Sequence, residues 1–204
     1  MNKFLVVFSS FIFLYSCSDS NSTDIDIPLT SEVESLIEHS KEFEKKILSY
    51  ETPGGTIHFA IGFGIANSIM VEGENGNIII DAADSVYEAE QIYALFSEKN
   101  KNPIKAIIYT HNHGDHTFGA AYYVQSQIEK PQIIAHEDTD YYVQRIMGIL
   151  NPIITSRSTK MFGTSLPEED VINVGIGPSL NVSKSPTGYV KPDTTFSDSL
   201  KLNI

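Results

Sequence analysis

Three histidines and one aspartate fall within six residues, His111 to His116, in the run Thr110-His111-Asn112-His113-Gly114-Asp115-His116-Thr117. Neutral imidazoles and carboxylates are the donors of zinc-type sites, where they converge on one point at about 2.0–2.2 Å. Residues i and i+2 at an extended strand end share a face, so His111 and His113 can address one ion together. Gly114 permits a tight turn of the backbone. Asp115 and His116 then project from that turn toward a second site, so one short loop could serve two ions. A surface histidine cluster, or a core histidine satisfied by hydrogen bonds, is the alternative. Four ligand-type side chains directly after a buried strand favour the metal.

Such a loop needs a scaffold. Ile104 to Tyr109 reads as the buried strand that delivers it, with Pro103 stopping the element before. Thr56 to Ala60, Ala66 to Glu72 and Asn77 to Asp81 read as strands, the last two joined by the turn Gly73-Glu74-Asn75-Gly76. Asp84 or Ser85 can cap a helix to about Lys99, with Val86, Ala89, Ile92, Tyr93 and Phe96 inward. A helix over Ala120 to Glu129, a strand over Gln132 to Ala135 and a helix over Asp138 to Leu150 follow. Strands alternating with helices imply an α/β sheet with helices on its faces. Upstream, Ser31-x-x-Glu34 is a capping box that opens a helix to about Leu48, its apolar face including Ile47 and Leu48. Beyond Asn151-Pro152 the pattern weakens, Leu166 to Asp193 is rich in Gly and Pro, and Ser199 to Ile204 resembles the start of a strand.

The run His111 to His116, HNHGDH, matches the HxHxDH motif and resembles that of the metallo-β-lactamase-fold hydrolases. The resemblance implies an αββα sandwich, of which residues 31–204 would be the first half. It implies two zinc ions, one bound by His111 and His113 and the second by Asp115 and His116, with Asp115 also orienting the attacking water. Asp81 would support the metal loop by hydrogen bonding; taken alone, it reads equally as a turn or helix-cap carboxylate. Further segments are similar to the alkyl sulfatase branch, which hydrolyses sulfate esters such as dodecyl sulfate. They are Gly62 to Asp81, Ile104 to Ala120, Arg157 to Pro167 and Asn173 to Leu180, within a similarity running from about Phe43 to Ile204. On that resemblance Arg157 could pair with sulfate oxygens, and the full-length protein would form a homodimer. A surface or structural ion pair is the other reading of Arg157, and a simple turn that of Asn173 and Gly175 to Gly177. An apolar tunnel would have to accept the alkyl chain, and Met161 and Phe162 read equally as core.

The branch also needs two acidic ligands and a histidine downstream. His136 reads as a structural strand end, and Glu168, Glu169 and Asp170 as solvated loop carboxylates. The expectation is therefore a partial chain whose missing ligands and second sheet lie elsewhere, and which exposes apolar surface. Retained metal ligands on a non-catalytic binding lipoprotein are the competing class. A different hydrolase of the same fold, acting on a lactam, thioester, lactone or phosphodiester, is the nearer alternative.

The ends and the charge bound the rest. Met1 to Cys17 has Lys3 before the apolar run Phe4 to Tyr15, too short to span a bilayer and suited to a secretory leader. Leu14-Tyr15-Ser16-Cys17 resembles a bacterial lipobox, so Cys17 is the expected lipidation site and the membrane a partner through that anchor. Residues 18–30 read as a flexible tether. Lys and Arg number 14 against 26 Asp and Glu, a formal charge of −12, which disfavours nucleic acid as a partner. A single cysteine excludes an intrachain disulfide and a Cys-rich zinc site.

Overall fold

Alternation of buried and half-buried residues organises the sheet. In the strand Gly55–Ile61, His58 and Ala60 are buried while Ile57, Phe59 and Ile61 are half-buried. Ser68–Val71 and Asn77–Ile80 repeat the pattern, with Ser68, Met70, Asn77 and Ile79 inward. Period-two burial is the mark of a sheet with one well-covered face. The computed structural model describes residues 30–167, 170–178, 180 and 187–203. The leader, Cys17 and the tether up to residue 29 lie outside the described residues, as do Glu168 and Glu169.

Among the described residues, seven strands form one sheet in sequence order. They are β1 (Lys46–Thr52), β2 (Gly55–Ile61), β3 (Ser68–Val71), β4 (Asn77–Ile80), β5 (Ile104–Ile108), β6 (Gln132–His136) and β7 (Thr194–Phe196). The first four pair antiparallel, and β4 through β7 pair parallel. The helices are α1 (Ser31–Ser40), α2 (Val86–Lys99), α3 (Gly114–Thr117), α4 (Ala120–Gln125), α5 (Thr139–Met147) and α6 (Asn151–Phe162). The parallel half needs crossovers, and α2 and α4 supply them between β4, β5 and β6. Ala89, Ile92 and Phe96 of α2 and Tyr123 of α4 are fully buried against Met70, Ile79, Ile107 and Ile133 of the sheet. Ser85 caps α2 as its sequence suggests, its hydroxyl accepting from Glu88 N at 3.2 Å.

The uncovered face carries Leu48, Tyr50, Ile57, Phe59 and Ile61, which line a shallow apolar groove. Tyr50 is 56% exposed. The expectation of exposed apolar surface is met on this face. Among the described residues, no helix is long and apolar enough to cross a membrane.

Five local expectations change. The first helix ends at Ser40, a short 3-10 turn spans Lys41–Phe43, and Ile47 and Leu48 belong to β1. Its N-cap is Thr30, whose hydroxyl accepts from Val33 N, one residue before the expected capping box. The helix at Ala120 stops at Gln125. A further helix, α6, runs where the pattern weakens, with Pro152 in its first turn and Gly163 in the left-handed conformation after its end. The closing strand is Thr194–Phe196, paired with β6, and residues 199–203 form no strand.

Candidate metal centre

Asp81 follows β4 and His111 follows β5, so parallel pairing brings them to the same sheet edge. Asp81 N donates to Ile108 O at 2.9 Å, which sets that register. In open parallel sheets the carboxyl ends of strands are where ligands bind. The backbone there is strained: Asp81 has φ 60° and Ala83 φ 71°. A side chain in the left-handed region costs about 1–2 kcal/mol. Specific contacts hold the turn: Ala82 N donates to His116 O at 2.8 Å and Gly119 N to Ala83 O at 3.1 Å. Ser68 Oγ donates to Asp81 O at 2.6 Å. Gly119 is obligatory for this clasp, since a Cβ there would stand 2.0 Å from Ala82 O.

The Asp81 carboxylate, 6% exposed as a residue, is the hub of the loop. Oδ1 accepts from Thr110 N at 2.8 Å, and the Thr110 hydroxyl stands 3.0 and 2.8 Å from its two oxygens. Oδ2 also meets His116 Nδ1 at 2.7 Å. On the other side of that ring, Nε2 lies 3.3 Å from Asp115 Oδ2. His116 is therefore held between two carboxylates. Burial alone pushes its pKa down, but the hydrogen bonds and charges of Asp115 and Asp81 outweigh that and raise it to about 9. Burial likewise opposes ionisation of Asp115, and the His116 contact prevails, holding its pKa below the usual value. The pocket stabilises a positive charge at this point.

His111 lies 4.0 Å from the His116 ring and 4.6 Å from the His113 ring, centroid to centroid. Its pKa is lowered, first by burial and then by the neighbouring imidazoles, which favours the neutral ring that a metal requires. The three imidazoles thus form one cluster rather than two separate pairs. Their donor chemistry, and the two carboxylates already gathered around a cationic group, suit a borderline divalent ion. The side chains are nevertheless closed on one another. Among the described residues, no three His, Cys, Asp or Glu side chains stand around a common point as a metal demands. Asp115 faces His116, and His111 Nδ1 is engaged by Thr110 Oγ1 at 3.0 Å.

His113 and Asp115 open onto a cavity of about 1240 Å³. Its wall also includes Ile154, Arg157, Met161 and Phe162 of α6. No residue of α6 is buried, so Met161 and Phe162 line this cavity and are not core. Arg157 is exposed on the same wall. His136 keeps a strand-end role: Nε2 pairs with Ser197 O at 2.9 Å and Nδ1 with Asp138 N at 3.2 Å. Asn173 is a tie, donating to Leu36 O at 3.0 Å and to Ser40 Oγ at 2.9 Å while accepting from Gly175 N at 2.8 Å. Asp170 is exposed. Two features escape the sequence reading: Thr110, which touches both Asp81 and His111, and the α6 wall. The Pro152 and Gly163 pair was the available signal for α6.

A sequence profile of the Metallo-beta-lactamase superfamily matches residues 61–187. A linear primary-alkylsulfatase from Pseudomonas sp. (strain ATCC 19151) is 36% identical over 140 residues, covering 66% of this chain and 26% of that protein. The alpha subunit of a 2,4-dinitroanisole O-demethylase from Nocardioides sp. (strain JS1661) is 38% identical over 84 residues, covering 40% and 24%. The chain spans about a quarter of the length of these relatives. Among solved structures, a stereoselective inverting sec-alkylsulfatase from Pseudomonas sp. superposes with a TM-score of 0.64 at 20% identity. It covers 76% of this chain and 25% of that one. A double mutant of a sec-alkylsulfatase gives 0.66 at 20% identity, over 81% and 27%.

Proposed function

The chain belongs to the metallo-beta-lactamase superfamily, and on that premise we propose that it is part of a zinc-dependent hydrolase cleaving alkyl sulfate esters to alcohol and sulfate. One observation carries the reading: His116 lies between Asp81 and Asp115, with His111 and His113 beside it, at the mouth of an apolar-walled cavity. The substrate class is supported by similarity to proteins named as alkylsulfatases.

His111 and His113 would hold one ion, and Asp115 and His116 a second. Zinc, when bound, supplies Lewis acidity toward the anionic ester and lowers the pKa of water. Asp81 holds a proton of His116 on Nδ1, so that Nε2, on giving up its own proton, would be the nitrogen that meets an ion, the carboxylate–histidine arrangement that orients metal ligands. Asp115 orients the attacking water. Arg157, on the facing wall, pairs with sulfate oxygens through its fork. Ile154, Met161, Phe162 and Leu166 line the cavity and would receive the alkyl chain.

The same reading has the protein in the bacterial envelope, anchored through lipidated Cys17, with a homodimer as the full assembly. A panel of esters tests it, run on the native protein drawn from the envelope fraction. Dodecyl sulfate should be turned over and a short-chain sulfate ester at least 10-fold more slowly, since about 0.8 kcal/mol accompanies each buried methylene. Turnover of a lactam, thioester, lactone or phosphodiester in place of the sulfate ester contradicts the substrate. No turnover at all favours a non-catalytic binding lipoprotein, and recovery of the protein in the soluble fraction contradicts the anchor.

A further inference from the structure

We propose that Thr110 is a positioning residue that sets the tautomer of His111, holding the ring proton on Nδ1 and leaving Nε2 as the lone pair offered to a ligand. The argument is a count of protons. The Thr110 hydroxyl has one hydrogen and lies within hydrogen-bond distance of three atoms. They are Asp81 Oδ1 at 3.0 Å, Asp81 Oδ2 at 2.8 Å and His111 Nδ1 at 3.0 Å. A carboxylate only accepts, so the Thr110 hydrogen goes to Asp81. The hydroxyl oxygen then turns lone pairs toward His111 Nδ1. An unprotonated Nδ1 at 3.0 Å would set lone pair against lone pair. A protonated Nδ1 donates instead, and Nε2 is left bare.

The backbone fixes the donor of this relay. Thr110 N donates to the same Asp81 Oδ1 at 2.8 Å, so the residue is clamped at two points and its hydroxyl has a defined direction. Asp81 thereby governs two histidines at once, His116 by direct contact with Nδ1 and His111 through Thr110. In both rings a proton is held on Nδ1; His111 Nε2 is left bare, while His116 Nε2 faces Asp115 Oδ2 at 3.3 Å. The hydrogen bond made by one ring nitrogen decides what the other can do. A valine at position 110 keeps the shape and removes the relay. A serine keeps the hydroxyl.

The test is nitrogen-15 NMR of the imidazoles in chain labelled at histidine and freed of metal, for wild type, Thr110→Val and Thr110→Ser. The wild type should show His111 protonated at Nδ1. Thr110→Val should move the His111 proton to Nε2, and Thr110→Ser should restore the wild-type pattern. A wild-type spectrum with His111 protonated at Nε2 overturns the proposal, as does an unchanged tautomer in Thr110→Val. The wild-type and serine spectra decide the matter even if the valine variant does not fold. A zinc titration of the same proteins rests on the proposed function and is read separately. Thr110→Val should bind zinc about 10- to 100-fold more weakly, as for other loss of outer hydrogen bonds to a ligand, and Thr110→Ser close to wild type. Equal zinc affinity in all three overturns the ligand-presenting role. Zinc binding by none of them, with the tautomer switch seen, upholds the Thr110 assignment and overturns the proposed metal function.

Discussion

Replacing His113 with alanine should abolish the proposed hydrolysis by the native protein without unfolding it. His113 follows β5 in extended conformation and starts the short helix α3, with φ −73° and ψ 150°. Its side chain is exposed at the cavity mouth, and its ring leans on His111 at 4.6 Å. What it contributes to the fold comes from its backbone, whose oxygen accepts from Thr117 Oγ1 at 3.1 Å. Alanine keeps that oxygen. The stability change should therefore stay within about 0.5 kcal/mol, as for surface substitutions. The expected loss of function has a different scale, because losing the proposed metal would withdraw several kcal/mol of transition-state stabilisation. At 1.36 kcal/mol per tenfold, the fall in kcat/KM is on the order of 1,000-fold or more. Kinetics with dodecyl sulfate, alongside circular dichroism, check both halves. Wild-type turnover in the variant contradicts the metal role of His113.

Replacing Asp81 has the opposite balance and strikes the fold first. Its buried carboxylate serves Thr110 N, the Thr110 hydroxyl and His116 Nδ1 together. Asp81→Ala removes one of the two carboxylates that hold His116 and also the acceptor of Thr110 N, and each buried donor left unsatisfied costs about 1–3 kcal/mol. Alanine at φ 60° also carries left-handed strain that aspartate and asparagine tolerate better. Asp81→Asn keeps the shape and the backbone, but its amide has one oxygen for the donors around it and turns hydrogens on the rest. An unsatisfied buried donor costs about 1–3 kcal/mol. Urea unfolding of the metal-free proteins should rank wild type above Asp81→Asn, and Asp81→Ala last. An alanine variant as stable as wild type would mean that Asp81 is a simple turn residue.

The parts of the fold that could be read from sequence are those where local and tertiary signals agree. The segment from Asn77 to Ile108 is one case. Its strands are rich in isoleucine, its helix has a serine cap, and Pro103 marks the boundary. β1 was hidden because Ile47 and Leu48 continue the helical spacing of α1. Pairing with β2 across the tight Pro53-Gly54 turn overrides that periodicity, and the turn is closed by Thr52 Oγ1 donating to Gly55 O at 2.6 Å. α6 was hidden for another reason. It buries no residue, so no apolar stripe marks it, and its Thr-Ser-Arg-Ser-Thr centre has middling helix propensity. β7 is three residues at a sheet edge, Thr194–Phe196, and only the parallel ladder with β6 identifies it.

The candidate site divides in the same way. HNHGDH shows in the sequence because ligand types cluster at fixed spacing within one loop. Asp81 lies 30 residues before His111 along the chain, and its part is plain only when β4 and β5 pair. The cavity wall on α6 depends on where that helix lies relative to the loop, which no local pattern records. Thr110 carries no ligand chemistry of its own. Its importance lies in the direction of one hydroxyl hydrogen, which follows from distances to Asp81 and His111.

The most direct test of the metal-centre reading is the zinc content per polypeptide of the native protein, measured by elemental mass spectrometry after purification from the source envelope. The expected value is close to two zinc ions per chain, falling in the His113→Ala variant. A folded native protein that retains no zinc or other transition metal would contradict it. The cluster of His111, His113, Asp115 and His116 would then be a self-paired structural loop.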